Sequence, residues 1–592
     1  MSIHEETSPM DRFRLGRFSA PDRDCDIIMK GGVTSGVVYP KAILALAERY
    51  RFKDVGGTSA GGIAAAFTAA AEYARAKGEP DGFARLEART ARLPEVLSSL
   101  FQAEPRLQPL MRVLRLTIRR GLGWGAAAVP LFFWPWSLAG TLAGFLLLTP
   151  VGLLGAGYSG AVIAALIGLL ASSFGGLVVM ATKGVAANDF GVCKGLSDPE
   201  DRSQLALTDW LHESLQDIAF GAAAKGHRPL TFGDLEGPGT AHAVRLRMVT
   251  SNLSMRRPQT LPGLLKGLAF KVDRWKGIFP ADVMSYLETV CGADPFRAKP
   301  QSTPPTRLDL RDAPRGHAMP VIVAVRMSLS FPFLVSAVPM VIRDIGKEKR
   351  LTLANGKVPG CIEAEVWMTD GGLTSNFPIH FFDGPLPMRP TFALSLDELP
   401  LGEPEPASRI TVQTDAREGI FLPILPVRGV LGFGLSLLGV AKDWQDTLTA
   451  GMAGQRERIV RVSLTQNEGG LNLDMPVETS RKLMTYGEAA GQALLAKFNL
   501  EEHQWRRALV AYEQLETVAS DFNTVWMAGF GAFFARYRHT ATSYPKSTSA
   551  DRATIEQRMA AFAALGAGFA PPIKGSGKFP KPSAHTRTAP KF

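Results

Sequence analysis

An α/β fold built on a layered sheet is the class this 592-residue chain predicts, and three features carry the prediction. Short β-branched or apolar runs alternate with helical patterns along most of the sequence, the order of βα units rather than of an all-helical or all-β domain. Val55-Gly56-Gly57-Thr58-Ser59-Ala60-Gly61-Gly62 sets a serine between a strand-like run at 51–55 and an alanine-rich helical pattern at 63–76. A second glycine turn, Asp370-Gly371-Gly372, ends another strand-like run at 366–369.

The chain opens with a polar arm, residues 1–23, before a first strand at 25–29. Lys30-Gly31-Gly32-Val33-Thr34-Ser35-Gly36 then loops into a helix at 39–50, and the strand 51–55 follows. Gly57 and Gly61 stand two positions either side of Ser59. Glycine there lets strand and helix approach closely while the turn holds the serine hydroxyl outward, the context of a nucleophile elbow. After a helical stretch at 81–101, the α/β pattern resumes with a helix at 207–223 and strands at 243–250, 321–325, 366–369, 391–396 and 458–464. A helix at 477–498 has apolar residues at helical spacing. Residues 499–566 read as a helical extension, its first part at 501–534 rich in Trp, Tyr and Leu. The tail 567–592 is rich in Pro, Gly and Lys, with too little apolar surface to fold. The apolar stretch 429–441 is too short to span a bilayer and fits either a core helix or an apolar rim at a lipid interface.

From Gly121 to Thr182 there is no Asp, Glu, Lys or Arg, a run roughly three times the ~20 residues one crossing needs. Two crossings are expected, at 126–148 and 158–180, with Thr149, Pro150 and the glycines of 151–160 turning between them. They lie in an insertion, 106–190, that separates a first catalytic part (24–105) from a second (191–498). Arg112, Arg115, Arg119 and Arg120 precede the run and Lys183 follows it, so both ends should face the cytoplasm. Trp124, Trp134 and Trp136 stand where an interfacial belt would place them. The competing expectation is a buried helical pair, but a soluble core seldom sustains such length without a charge.

A net charge of +11 suits an anionic partner. No zinc finger, RNP-like or basic-helix pattern accompanies it, so nucleic acid is not expected. Cys25, Cys193, Cys291 and Cys361 are far apart, with no C-x-x-C pair or histidine cluster. They read as reduced, buried thiols of a cytoplasmic compartment rather than a disulfide framework or a zinc site. Residues 1–26 lack the apolar core of a signal peptide.

A serine attacks an ester only when something takes its proton and something else receives the oxyanion. The backbone N–H groups of Gly31, Gly32, Val33 and Thr34, near a helix N-terminus, and that of Ala60 beside the serine are the candidate oxyanion donors. As a nucleotide loop the segment fails, lacking the Walker lysine and the G-x-G-x-x-G spacing. Asp370 supplies a carboxylate at a strand end, although Asp-Gly-Gly alone is commonly a turn.

Glycine loop, G-x-S-x-G elbow and late D-G-G, in that order, resemble the patatin-like phospholipases. So do two connecting segments, Pro229-Leu230-Thr231-Phe232-Gly233-Asp234-Leu235 and Ala324-Val325-Arg326-Met327-Ser328-Leu329-Ser330-Phe331-Pro332. The resemblance covers residues 24–497, interrupted by the apolar insertion. It implies a three-layer α/β/α sheet, here with an inserted two-helix transmembrane hairpin and a C-terminal helical extension. It also implies a dyad of Ser59 as nucleophile and Asp370 as the base in direct contact with it, with the glycine loop as oxyanion hole and no metal or organic cofactor. No histidine is required. Of His212, His227, His242, His317 and His380, only His380 lies close enough after Asp370 to be considered a third member. The chain departs from the family pattern at Val33, where a third glycine is usual, and at Ser35, where a basic residue is usual. Thr34 and Ser35 stand as alternative hydroxyl donors.

The expected activity is hydrolysis of acyl esters of membrane phospholipids or other acyl lipids through an acyl-enzyme on Ser59, from the cytoplasmic face of the bacterial inner membrane. Two rivals stay open, a catalytically weak lipid-binding or regulatory membrane scaffold and a hydrolase of small soluble esters. Oligomeric state is not legible.

Overall fold

The computed structural model describes residues 16–569 and 573, except 33, 80, 156, 199, 201–202, 238–242, 294, 297–308, 356–360, 400–407, 471, 545 and most of 415–447. Most of the polar arm, most of the basic tail and Val33 therefore lie outside the described residues.

The strands in chain order are β1 (Arg23–Met29), β2 (Tyr50–Gly57), β3 (Gly191–Cys193), β4 (Arg245–Asn252), β5 (Arg257–Leu261), β6 (Leu268–Lys271), β7 (Leu310–Asp312), β8 (Phe333–Val335), β9 (Val338–Arg343), β10 (Glu363–Asp370), β11 (Thr391–Glu398), β12 (Ile410–Val412) and β13 (Ile459–Leu464). One sheet runs β12-β13-β11-β1-β2-β4-β10-β9-β6-β7, with β5 also paired to β4, while β3 and β8 form a separate pair. Its centre, β13-β11-β1-β2-β4, is parallel. The flanks, β12 on one side and β10, β9, β6 and β7 on the other, are antiparallel. A parallel centre needs cover on both faces. It has it: the consecutive residues Ile27, Ile28 and Met29 of β1 are all buried. The fold is thus a mixed α/β layered structure, as expected.

Helices supply that cover. Ala60–Ala76 packs on the sheet, and Leu207–Phe220 packs on Ala60–Ala76. Tyr39–Ala47 packs on Val477–Lys497, where Gly487 and Gly491 permit the approach: a Cβ at Gly487 would meet the Val38 carbonyl at 1.9 Å. The stretch expected as a strand at 321–325 is instead the helix Val321–Ser328, every residue of it buried. A short, wholly apolar β-branched run reads alike as buried strand or buried helix, and Pro320, at the N-cap, starts a helix here. Cys361 is exposed, contrary to expectation, whereas Cys25, Cys193 and Cys291 are buried.

The apolar insertion is helical: Leu122–Phe132, Trp134–Gly155 and Gly157–Val179, the last continuing through a π turn to Ala187. The segment Val162–Ala187 is long and apolar enough to cross a membrane. The first expected crossing, 126–148, is not one straight helix, because the chain bends by 73° between Leu122–Phe132 and Trp134–Leu146. Pro130 and Pro135 flank the break, each without an N–H to donate. The predicted turn at 151–160 is also shorter, since helix extends to Gly155 and resumes at Gly157. These two helices pack antiparallel through small residues. A Cβ at Gly144 would lie 2.5 Å from the Ala164 carbonyl and one at Gly168 2.1 Å from that of Gly140, and Ser137 and Ser173 hydroxyls meet at 2.7 Å. Close backbone approach at small residues joined by hydroxyl bonds is how helices associate in lipid. The outward side chains Leu142, Leu146, Ile163, Leu166 and Ile167 are exposed.

Of the stretch 429–441, the described residues Phe433, Leu437 and Val440 are exposed, which removes a core helix as their explanation.

Candidate active site

Ser59 sits at φ 54° and ψ −128°, between the end of β2 and the helix Ala60–Ala76. Residues with a side chain seldom occupy that backbone region, and they do so where the surrounding structure imposes it. The glycines explain the turn sterically. A Cβ at Gly57 would lie 2.3 Å from the Gly61 carbonyl oxygen, and one at Gly61 2.3 Å from that of Met29. The Ser59 N–H donates to Ser328 Oγ at 3.2 Å, so the helix Val321–Ser328 backs the elbow. Ser59 is only 4% exposed.

Sheet register brings Asp370 level with it. Gly57 pairs with Met248 across the parallel β2–β4 ladder, and Thr250, two residues on, pairs with Asp370 across the antiparallel β4–β10 ladder. Ser59 is also two residues past Gly57, so serine and aspartate leave the sheet at one height on either side of β4. The turn after Asp370 is pressed against the elbow: a Cβ at Gly371 would lie 2.6 Å from Thr58 Cγ2 and 2.1 Å from the Val249 carbonyl. Gly372 donates its N–H to Asp370 Oδ1 at 2.6 Å. Asp370 N–H and Thr369 Oγ1 both donate to the Ser330 carbonyl, at 2.9 and 2.6 Å. Arg326 secures that segment, donating to Ser330 Oγ at 2.6 Å, Ser336 Oγ at 2.9 Å and the Lys194 carbonyl at 3.0 Å. It is fully buried, and burial pushes its guanidinium down to about 10.

The oxyanion loop departs from expectation. Gly31 N–H donates to the Asn376 carbonyl at 2.7 Å, and Thr34 gives both its N–H (3.3 Å) and its hydroxyl (3.1 Å) to the Gly470 carbonyl. Ala60 N–H donates to the Gly32 carbonyl at 3.2 Å, and Ser59 Oγ donates to the same oxygen at 2.9 Å. Gly31, Thr34 and Ala60 therefore do not face an open hole, and Gly32 turns an acceptor toward the serine. Buried donors find acceptors, and here the loop's own carbonyl serves. Ser35 is buried, its Oγ 2.6 Å from where a Gly32 Cβ would be. The neighbouring cation, Lys30, is engaged with Asp397 at 3.0 Å, which Arg461 also binds at 2.8 Å. Burial pushes the Asp397 carboxyl up, but the charges of Lys30 and Arg461 and hydrogen bonds from Ser395 and Arg461 hold it well below the usual carboxylate range.

No protein-family model matches the chain. The RpoH suppressor of Rhizobium meliloti (strain 1021) is 32% identical over 596 residues, covering 89% of this chain and 92% of the relative. The chain belongs to the RpoH suppressor family. A solved structure, VipD from Legionella pneumophila, superposes with a TM-score of 0.27 at 12% identity, covering 93% of this chain and 86% of that chain. So loose a superposition carries no argument.

In this RpoH suppressor family member three of the candidate histidines are engaged with partners other than the serine. His212 bonds Asp282 at 2.6 Å, His227 stacks on Phe220, and His317 faces Glu236 at 3.2 Å. His380 is exposed and edge-on to Phe381, and His242 lies outside the described residues. Three residues given no role by the sequence belong to the site: Ser328 behind the elbow, Asn376, whose carbonyl also accepts Thr58 Oγ1 at 3.2 Å, and Gly470. Ser328 had a signal in the Met-Ser-Leu-Ser-Phe-Pro segment and Asn376 in its place, with Pro378, soon after Asp370-Gly371-Gly372.

Proposed function

We propose that the chain is a membrane-bound serine acyl hydrolase of the patatin-like class, acting on acyl esters of membrane lipids. One observation carries the reading: Ser59, strained at φ 54° in a steric elbow, lies level with Asp370 across β4. Asp370 takes the hydroxyl proton as Ser59 Oγ attacks the ester carbonyl. The Gly32 carbonyl first swings away, which frees the Ser59 hydroxyl and the Ala60 N–H, the latter for the developing oxyanion. The alcohol leaves with the proton, and a water deprotonated by Asp370 releases the fatty acid from Ser59. The name RpoH suppressor states no chemistry, so the proposal rests on the site.

The bent pair 122–146 and the helix Val162–Ala187 would form a two-crossing hairpin with both ends in the cytoplasm of a bacterial inner membrane, holding the site at its substrate. Cationic side chains near the surface favour an anionic leaflet by about 1 kcal/mol each.

A second reading, a lipid-binding or regulatory scaffold with little turnover, is favoured by the Gly32 carbonyl that occupies the Ser59 and Ala60 donors. Fatty-acid release from defined phospholipid vesicles by purified wild type beside Ser59→Ala separates the two. Release by wild type alone supports the hydrolase; equal, background release with retained vesicle binding supports the scaffold.

A further inference from the structure

We infer that the aromatic segment Trp526–Tyr537 is a second membrane contact, an interfacial anchor for an anionic bilayer separate from the apolar hairpin. The inference rests on the membrane part of the proposal above, not on the chemistry at Ser59.

The helix Leu500–Val525 passes through a π turn, Trp526–Phe530, into Gly531–Tyr537, and Gly529 at φ 129° bends the chain there. A ladder of rings follows the bend, Phe522 on Trp526 at 5.7 Å, Trp526 on Phe534 at 6.1 Å and Phe533 on Tyr537 at 5.4 Å. The helix Ser549–Ala567 covers one side, bringing Phe562 to 5.1 Å from Phe522. Among the described residues nothing covers the other side: Met527 is 74% exposed, and Val525, Phe530, Phe533 and Tyr537 are exposed with it. Rings and a methionine bared together on one element are not scattered surface apolar residues, and the type matches the boundary between head groups and acyl chains.

Charge decides between a bilayer and a second copy of the chain. Residues 522–550 hold no Asp or Glu but include Arg536, Arg538, His539 and Lys546. Arg538 pairs with Glu556, while Arg536 and Lys546 are exposed. A symmetric pairing would bring like charges together, whereas anionic head groups complement them.

The test uses the full chain in vesicles of phosphatidylglycerol and phosphatidylethanolamine. With the native cysteines replaced by serine, an environment-sensitive fluorophore is placed singly at Met527→Cys, at Leu138→Cys in the hairpin and at Leu353→Cys, which is 89% exposed. Brominated acyl chains should quench the first two probes at least twofold and leave the third unchanged, and zwitterionic vesicles should weaken quenching at Met527→Cys alone. Quenching at Leu138→Cys with none at Met527→Cys overturns the anchor and leaves the hairpin standing. Quenching at neither overturns both. A blue shift at Met527→Cys that tracks protein concentration and ignores brominated lipid assigns the surface to a second copy instead. A photo-crosslinking acyl lipid with the unmutated chain gives an independent readout, with adducts expected on peptides from 522–544; adducts confined to the hairpin overturn the proposal.

Discussion

The carbonyl oxygen of Gly32 accepts the Ser59 hydroxyl at 2.9 Å, and the adjacent Ala60 N–H reaches the same atom at 3.2 Å. The loop thus fills with its own oxygen the place a substrate oxygen would take in the proposed chemistry. At about 1 kcal/mol net per hydrogen bond, releasing both costs about 2 kcal/mol, which bound substrate must offset. Thr34, clamped on the Gly470 carbonyl, holds the loop in this arrangement.

If Ser59 and Asp370 act as one unit, Ser59→Ala and Asp370→Asn should each lower ester turnover by several orders of magnitude, and the double variant should be scarcely worse than either. His380→Ala should leave the rate unchanged. A fluorophosphonate should label wild type and not Ser59→Ala; activity surviving in Asp370→Asn but lost in His380→Ala would reverse the assignment.

Gly371→Ala should displace the aspartate without touching it. Its Cβ meets the Val249 carbonyl at 2.1 Å and Thr58 Cγ2 at 2.6 Å, so the turn must move. A misplacement near 1 Å lowers rates by about 10²-fold. Gly384→Ala, with nothing within 4 Å, is the control. Equal fluorophosphonate labelling rates for the two variants would show that the turn's position does not matter.

Loosening the loop should speed attack. Thr34→Ala removes one of the two bonds to Gly470, and its labelling rate should equal or exceed that of wild type by up to about fivefold. A large loss would mean that the Thr34 hydroxyl itself serves the reaction.

Stability should fall between pH 4 and pH 6 through Asp26. Burial and the neighbouring Asp54 charge raise its carboxyl to about 6, with Arg389 opposing. A carboxyl that binds its proton more tightly folded than unfolded stabilises below its unfolded value, near 3.8, and loses that contribution as pH rises through about 6. The change is on the order of 3 kcal/mol. Melting temperatures in detergent, wild type against Asp26→Asn, should differ in pH slope only across this window; parallel profiles would refute it.

In the apolar insertion, Gly168→Leu should separate the helices whose backbones meet at Gly140, while Gly175→Leu, facing open space, should not. Wild type should resist extraction by alkaline carbonate, a cysteine at Gly155→Cys should react only from the side opposite Arg112 and Lys194, and replacing 121–182 by a short linker should leave a soluble domain active on short-chain esters. Aggregation of that deletion, with the full chain washing off in salt, would make the segment buried core.

The elbow was legible because part of its steric demand is local: a Cβ at Gly57 would meet Gly61 within the same five residues, although Gly61 makes room for Met29 of β1. Charge-free length marked the apolar insertion for a similar reason, since lipid acts on composition residue by residue. What failed was decided by neighbours distant in sequence. Residues 321–325 became a helix because they are surrounded by core, where a strand would have served the same pattern. The short antiparallel strands β5, β6, β7 and β9 carry too few alternating residues to announce themselves. Sequence alone determined the α/β class, the serine turn and the apolar insertion, since each depends on contacts within a few residues. Only the tertiary structure decided that Asp370 stands level with Ser59 and that the Gly32 carbonyl faces the serine, because sheet register and loop orientation are set by hydrogen bonds to partners as remote as Asn376 and Gly470.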